Sequence, residues 1–177
     1  IVDQWPEHVA AVKANGLTIQ HGDDEVNVAA NYININELQS IDDPFDYAFV
    51  AVKSYDTEWA ATLMRRYLKP DGAYVDFQNG INDYRLAETV GQENALGCVI
   101  TIAACCYDPG VVMRTDTNPV AYKIGEQDGS DTARVRELVE VVSSASEGTF
   151  FTDNLFGERW AKLAINCMVN PMAGITG

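Results

Sequence analysis

Three short apolar runs, the first two directly followed by segments of helical character, constrain the fold of this chain most strongly. Residues 47–52 and 73–77 are two of these runs, and the third begins near Leu96. A strand that is apolar on both faces is typical of a parallel sheet, because crossover helices cover the sheet on both sides. The alternation predicts an open, mostly parallel α/β sheet with helices on both faces and right-handed crossovers.

Boundary signals divide the rest of the first half. Pro6 and Gly16 bracket a short helix, and Gly22 marks the turn of a hairpin within an alternating apolar and polar segment. Asp56 is expected to cap a helix that ends at residues 70–72, where Pro and Gly occur together.

The second half continues in the same manner. We expect the third apolar run to close at residues 103–104, and residues 110–115 and 119–126 to form a two-stranded excursion. A helix is predicted at 131–145 and a short strand at 148–152.

Charge restricts the classes of partner. The 177 residues include 26 acidic and 12 basic side chains, for a formal net charge of -14. Such a balance argues against nucleic acid and anionic membranes as partners. No apolar run approaches the roughly 18 residues of a membrane span, and the first residues lack a signal-peptide pattern. We therefore expect a soluble, cytoplasmic protein.

Cysteine and histidine provide no metal site. The four cysteines lack paired C-x-x-C spacing, and only two histidines are present. Neither a zinc cluster nor a histidine-based triad is predicted. The cysteines are interpreted as small buried side chains in a reducing compartment.

The final segment, "ERWAKLAINCMVNPMAG", combines an apolar helix with one polar stripe. Lys162, Asn166 and Asn170 recur at four-residue spacing and therefore share one side of a helix, for which Asn154 is the expected cap. A helix apolar around most of its circumference is normally buried, so the stripe is expected to face polar partners or a ligand. Pro171 disfavours helical geometry at Asn170 and predicts a kink or an end there.

Polar or small residues follow each predicted strand. Lys53 follows the first run, Asn79 the second, and Ala103 closes the third. Ligands of open α/β sheets bind beyond the carboxyl ends of the strands, which makes these residues candidates for a binding site. Two plainer interpretations stay open, because Asn79 before Gly80 also suits a turn and Lys53 also suits a solvated strand end.

Three segments of the chain resemble one known family. The segments "VAVKSYDT", "QNGIND" and "GERWAKLAINCMVNPMAGITG" resemble the ketopantoate reductase (2-dehydropantoate 2-reductase) family, in order along the whole chain. The K-x-x-x-N-x-x-x-N-P run is the most specific part. The resemblance implies an enzyme that reduces a 2-oxo acid with NADPH in pantothenate synthesis. It also implies a Rossmann-like domain at residues 1–153 and the start of a helical substrate domain at 154–177.

The resemblance implies a role for each matching residue. Lys162 would be the proton donor and a substrate contact. Further substrate contacts are implied at Asn79, Asn166 and Asn170. Lys53, Ala103 and again Asn79 would line the cofactor. A lone helical lysine is usually solvated, and Glu158 with Arg159 is interpreted as an ordinary pair on the helix surface.

Departures from the family pattern concern the cofactor. The chain lacks the glycine-rich phosphate turn and begins as though a strand were ending, with Asp3 at its tip. It therefore looks truncated, and the piece alone is expected to be inactive. An acid at that tip accepts hydrogen bonds from the free ribose hydroxyl of NADH, whereas it would repel the 2'-phosphate of NADPH. Asp3 therefore favours NADH as the cofactor. Asp3 also suits an ordinary surface acid.

Two rival functions stay open. One is an NAD-dependent D-2-hydroxy acid dehydrogenase of the same family, and the other is a binding or assembly domain without catalysis. The sequence leaves the 2-oxo acid undetermined and a homodimer open.

Overall fold

The computed structural model describes residues 1–176. Its strands are β1 (Val2–Asp3), β2 (Leu17–His21), β3 (Asp24–Val28), β4 (Ile33–Asn34), β5 (Phe45–Val50), β6 (Leu68–Asp76), β7 (Ala95–Ile100), β8 (Ala104–Cys105), β9 (Val111–Arg114), β10 (Tyr122–Gly125) and β11 (Thr149–Phe151). Its α-helices are α1 (Pro6–Asn15), α2 (Thr57–Met64), α3 (Asp83–Val90), α4 (Ala133–Ser143) and α5 (Leu155–Thr176). Short 3-10 helices lie at Ile35–Ser40, Ser54–Asp56, Arg65–Tyr67 and Gln92–Asn94.

The chain divides into two compact units. Residues 1–43 and 102–118 form the first unit, and residues 44–101 and those from 119 onward form the second. The domain boundary expected after residue 153 stays a prediction, and the last residue of the segment 154–177 lies outside the described residues.

The second unit contains a five-stranded sheet in the order β11-β10-β7-β6-β5. The pairs β5 with β6, β6 with β7, and β10 with β11 are parallel, and β7 with β10 is antiparallel. This arrangement confirms the mostly parallel, Rossmann-like sheet.

Both faces of this sheet are covered by helices, as expected. On one face, Ala61 of α2 and Leu86 of α3 pack with Val50 and Tyr74. The opposite face packs against Val135 and Leu138 of α4, and the sheet side chains there are Ala73, Val75, Leu96, Cys98 and Ile124. Adjacent residues of β6 point to opposite faces, so one apolar run supplies both core layers.

The first unit contains a four-stranded sheet in the order β3-β2-β9-β8 and the short parallel pair β1 with β4. The predicted hairpin is confirmed, since β2 and β3 pair antiparallel across Gly22, whose φ is +62°. Helix α1 also has the expected bounds, and its Val9 and Val12 pack with Tyr32.

The helix predicted after Asp56 is shorter than expected. Helix α2 ends at Met64, a 3-10 turn follows, and β6 already begins at Leu68. Residues 70–72 lie in an irregular part of β6, because the pairing shifts between Phe45 and Tyr47 of β5. Asp56 makes no side-chain cap, since it belongs to the 3-10 helix that leads directly into α2.

The third strand is also shorter than expected. Strand β7 ends at Ile100, and residues 104–105 form β8 in the sheet of the first unit. Ala103 therefore does not close the third strand. The expected two-stranded excursion is wrong as well, because β9 pairs with β2 and β8 whereas β10 pairs with β7 and β11. Local sequence patterns do not show that β9 and β10 belong to two different sheets.

Helix α5 begins as predicted but is not buried along its length. The Oδ1 of Asn154 accepts a hydrogen bond from the Gly157 amide at 3.1 Å, which confirms the cap. The helix continues through Pro171 to Thr176, so it does not end there. In its second half, Met168 is 63% exposed and Ile175 is 79% exposed.

Within residues 1–176, no helix combines the length and the apolar character needed to cross a membrane.

The cysteines differ from one another in exposure. Only Cys98 is buried, whereas Cys106 and Cys167 are exposed, so the expectation of four buried cysteines is wrong. Cys106 follows β8 in the first unit, and Cys167 lies in the exposed part of α5.

Candidate active site

Lys162 lies where the second unit brings two strand ends together. Its Nζ donates a hydrogen bond to the Oδ1 of Asn79 at 2.6 Å and another to the carbonyl oxygen of Ile100. Asn79 follows β6, and Ile100 is the last residue of β7. The ammonium is therefore turned towards the carboxyl edge of the parallel sheet, where ligands of such sheets bind.

The surroundings of Lys162 lower the pKa of its ammonium group. Burial lowers the pKa of Lys162 from its ordinary value, and the positive charge of Arg159 lowers it further. A lysine with a lowered pKa releases its proton more readily than a solvated one. The site can therefore supply both a positive charge and a transferable proton.

Asn79 is presented by a tight turn after β6. Gly80 has a φ of +90°, a conformation that L side chains rarely adopt, and Asn82 Nδ2 donates to the Asn79 carbonyl at 2.9 Å. Asn79 itself is exposed. Since its Oδ1 faces Lys162, its amide NH₂ remains able to donate to a ligand.

Gln78 ties this turn to the neighbouring strand. Its buried side chain donates to the Val52 carbonyl at 2.5 Å and accepts a hydrogen bond from the Thr57 hydroxyl at 3.0 Å. Buried polar groups that are fully paired define one arrangement of the backbone. The segments that follow β5 and β6 are therefore held together at the edge where Lys162 lies.

Arg159 is a site residue that the sequence reasoning missed. It is buried, with 2% of its side chain exposed, rather than paired with Glu158 on the surface. It donates to the carbonyls of Asp76 and Gln78 at 3.0 and 2.8 Å, and to both carboxylate oxygens of Asp83 at 3.0 Å each. Glu158 pairs with Lys123 instead, at 2.7 Å.

Two carboxyl groups share this one cation. The Arg159 Nη2 lies 2.8 Å from the Oδ2 of Asp76, an ion-pair contact without a hydrogen bond, because Nη2 donates to the Asp76 carbonyl and to Asp83. Burial raises the pKa of Asp76 to about 7; Arg159 opposes this rise and the charge of Asp83 adds to it. Asp76 therefore retains a proton over part of the acidic range.

The start of α5 is fitted closely against β7. A Cβ on Gly97 would lie 2.2 Å from a methyl carbon of Leu155 and 2.5 Å from the Oδ1 of Asp83. Glycine at this strand position thus allows the helix to approach the sheet. This approach sets the position of Lys162, which lies two turns further along the same helix.

The other predicted residues of the second unit are less constrained. Asn166 is half-buried and Asn170 is exposed, and neither side chain hydrogen-bonds within residues 1–176. Lys53 is exposed immediately before the 3-10 helix Ser54–Asp56. The structure thus brings Lys162 and Asn79 into contact, whereas Asn166 is partly covered and Asn170 and Lys53 are open to solvent.

Asp3 and Ala103 belong to the first unit. Asp3 ends β1, and its Oδ1 accepts a hydrogen bond from the Trp5 amide at 2.8 Å. The amide of Ala103 donates to the Oδ2 of Asp116 at 2.8 Å. Asp3 therefore has the strand-tip position expected from the sequence, whereas Ala103 lies in a connection before β8.

Comparison with known proteins identifies the family. A family model described as ketopantoate reductase PanE/ApbA matches residues 1–129. The chain belongs to this family. The matched range ends before α5, the helix that carries Lys162.

Relatives within the ketopantoate reductase family extend over most of the chain. A 2-dehydropantoate 2-reductase of Pyrococcus horikoshii is 28% identical over 173 residues, covering 95% of this chain and 53% of the relative. One from Archaeoglobus fulgidus is 29% identical over 131 residues, covering 73% and 42%. The chain spans about half the length of the curated relatives it matches.

Solved structures support the same fold. The PanE/ApbA family ketopantoate reductase from Ralstonia eutropha superposes with a TM-score of 0.75 at 25% identity, covering 92% of this chain and 51% of that one. D-mandelate dehydrogenase, in a ternary structure with NADH and anilino(oxo)acetate, gives a TM-score of 0.79 at 22% identity, covering 93% and 52%. The second similarity concerns the fold alone.

Proposed function

We propose that this chain belongs to an oxidoreductase that reduces a 2-oxo acid with NAD(P)H, namely 2-dehydropantoate to (R)-pantoate in pantothenate biosynthesis. The contact of Lys162 Nζ with Asn79 Oδ1 at 2.6 Å is the observation on which the proposal rests. It joins an ammonium group to an exposed amide at the carboxyl edge of a parallel sheet, where the family resemblance implies that substrate and cofactor meet.

The donors at this edge suit a nicotinamide cofactor. The amide of Asn79 and the ammonium of Lys53 are both exposed and follow the neighbouring parallel strands β6 and β5. Neutral amide donors fit the polar atoms of a nicotinamide ring and its ribose, and a lysine fits the phosphates. When bound, the cofactor supplies the hydride.

Lys162 has two tasks in this proposal. Its ammonium stabilises the negative charge that develops on the carbonyl oxygen of the 2-oxo acid, and its proton is transferred to that oxygen. Asn79 holds the ammonium through its Oδ1. Asn166 and Asn170, one and two turns further along α5, are proposed to donate amide hydrogen bonds to the substrate.

A second candidate is an NADH-dependent D-2-hydroxy acid dehydrogenase, and Asp3 is the observation that favours it. Its carboxylate ends a strand in the position that bonds a ribose hydroxyl in dinucleotide-binding units, and a 2'-phosphate there would meet a like charge. The two candidates share Lys162 and differ in cofactor and 2-oxo acid. We further propose that a helical substrate domain begins after residue 153.

The direct test is an assay of the longest natural chain that contains these residues. Oxidation of NADPH or NADH is followed with 2-dehydropantoate and, separately, with 2-oxo acids that carry an aromatic or branched side chain. We expect turnover with 2-dehydropantoate. Faster turnover of the other acids with NADH would favour the dehydrogenase. Absence of turnover with every acid, together with absence of dinucleotide binding by calorimetry, would refute both and favour an assembly domain.

A further inference from the structure

We infer that Arg159 is a positioning residue, which fixes the turn that bears Asn79 against the helix that bears Lys162. The inference rests on the proposed function, because it concerns the geometry of the proposed proton donor. It assigns a task to the most deeply buried cation of the second unit, whose side chain is 2% exposed.

The hydrogen bonds of Arg159 join three elements. Its guanidinium donates to the carbonyls of Asp76 and Gln78, which frame the end of β6 just before Asn79. It also donates twice to the carboxylate of Asp83, the first residue of α3. A planar fork of five donors can satisfy these four acceptor atoms at once, whereas an ammonium has only three donors.

Arg159 and Lys162 are three residues apart on α5 and therefore lie on one side of the helix. Arg159 fastens that side to the turn of residues 76–79, and Lys162 reaches the end of the same turn through Asn79. The 2.6 Å hydrogen bond between Lys162 and Asn79 and the buried hydrogen bonds of Arg159 therefore join the same helix to the same turn. Water has no access to the buried hydrogen bonds of Arg159 and cannot replace them, so loss of the guanidinium would release the turn.

Charged and titratable groups surround this arrangement from several elements. Arg159 of α5 and Cys98 of β7 act directly on Lys162, while Asp76 of β6 and Asp83 of α3 face Arg159. Burial raises the pKa of Cys98 to about 12, so this thiol is neutral at physiological pH. Burial is the main cause that lowers the pKa of Lys162, and the positive charge of Arg159 lowers it further.

Two variants separate geometry from charge. Arg159→Lys keeps a positive charge but cannot fill the four acceptor positions. Arg159→Met combined with Asp83→Asn removes the positive charge together with the carboxylate that accepts two of its hydrogen bonds. Arg136→Met, which removes an exposed arginine paired with Asp131, is the matched control.

We expect both Arg159 variants to lower kcat by tenfold or more, as misplacement of a catalytic group by about 1 Å does. The double variant should also raise the pKa of Lys162, measured by NMR titration of its side-chain nitrogen. Arg136→Met should change neither quantity. A residue needed only for folding would lower the melting temperature and leave the Lys162 titration unchanged.

The outcomes distinguish this inference from the proposed function. Folded Arg159 variants with kcat within about twofold of wild type and an unchanged Lys162 titration would overturn the inference, even if turnover depends on Lys162. If no 2-oxo acid is reduced, the titration on the 177-residue chain still decides. A Lys162 pKa that shifts in the charge-preserving Arg159→Lys variant would then support the positioning role while the proposed function fails, and an unshifted one would overturn both.

Discussion

The Nζ of Lys162 lies 2.6 Å from the Oδ1 of Asn79, although 83 positions separate the two residues in the chain. One residue belongs to a helix and the other to a turn after a parallel strand. Their contact connects the polar stripe of the final helix with the strand-end residues. It places a cation and an amide donor at the edge of the sheet that binds ligands in open α/β folds.

The first expectation concerns Asp3 and the cofactor. Replacing Asp3 with Ser removes a negative charge from the strand tip but keeps a small polar side chain. The ratio of kcat/KM for NADPH to that for NADH should rise about fivefold, since a like charge near a 2'-phosphate in water opposes binding by about 1 kcal/mol. An unchanged ratio would remove Asp3 from the cofactor site. Asp24→Ser, in the exposed strand β3, is the control.

Asp76 should give stability a specific pH dependence. The pKa of Asp76 is about 7 in the folded chain, against an ordinary value of 3.8. Between about pH 4 and 7 the folded state therefore holds a proton on Asp76 that the unfolded state has lost. The contribution of Asp76 to the free energy of unfolding therefore decreases as the pH rises through this window. The slope cannot exceed about 1.4 kcal/mol per pH unit for one group.

Asp76→Asn should remove that contribution. Urea unfolding at several pH values is the measurement, and the difference between wild type and variant should change steadily from pH 4 to 7. Asp46→Asn, at an exposed carboxylate paired with Lys69, should lack this trend. A difference that is constant with pH would show that Asp76 holds no extra proton.

Gly97 should tolerate no side chain. A Cβ there would lie 2.2 Å from Leu155 and 2.5 Å from Asp83, which Arg159 holds in place. Gly97→Ala should therefore lower the free energy of unfolding by about 1–3 kcal/mol, the usual cost of overpacking. Gly174→Ala is the matched control, because nothing lies within 4 Å of its Cβ and alanine favours helix by about 1 kcal/mol over glycine. Equal stabilities of the two variants would contradict the close packing of α5 on β7.

Most of the second unit could be predicted because its strands are apolar on both faces. The run around Val75 supplies both core layers, and that pattern is visible without any partner. The end of β7 was not predictable in the same way. Apolar residues continue beyond Ile100, and the change of sheet there depends on pairings of β8 and β9 with the first unit.

The site was predicted in part for the same reason. Lys162 and Asn79 have local signals, a polar stripe and a strand-end turn, whereas the partners of Arg159 lie 76 to 83 positions away. One signal could have revealed them. Asp76 interrupts an apolar strand expected to be covered on both faces, and a buried carboxylate requires a cation or a proton. The prediction that α5 is buried along its length was wrong. A hydrophobic pattern shows which surface a helix can bury, but not whether another part of the protein covers it.

The kcat of Lys162→Ala with 2-dehydropantoate under saturating cofactor tests the role of Lys162 most directly. Loss of a charge partner in the transition state costs on the order of a hundredfold or more in rate, so kcat should fall by at least that factor. Lys69→Ala, which removes an exposed lysine of β6 paired with Asp46, should retain the wild-type rate. Equal kcat values for the two variants would contradict the assignment of Lys162 as the proton donor.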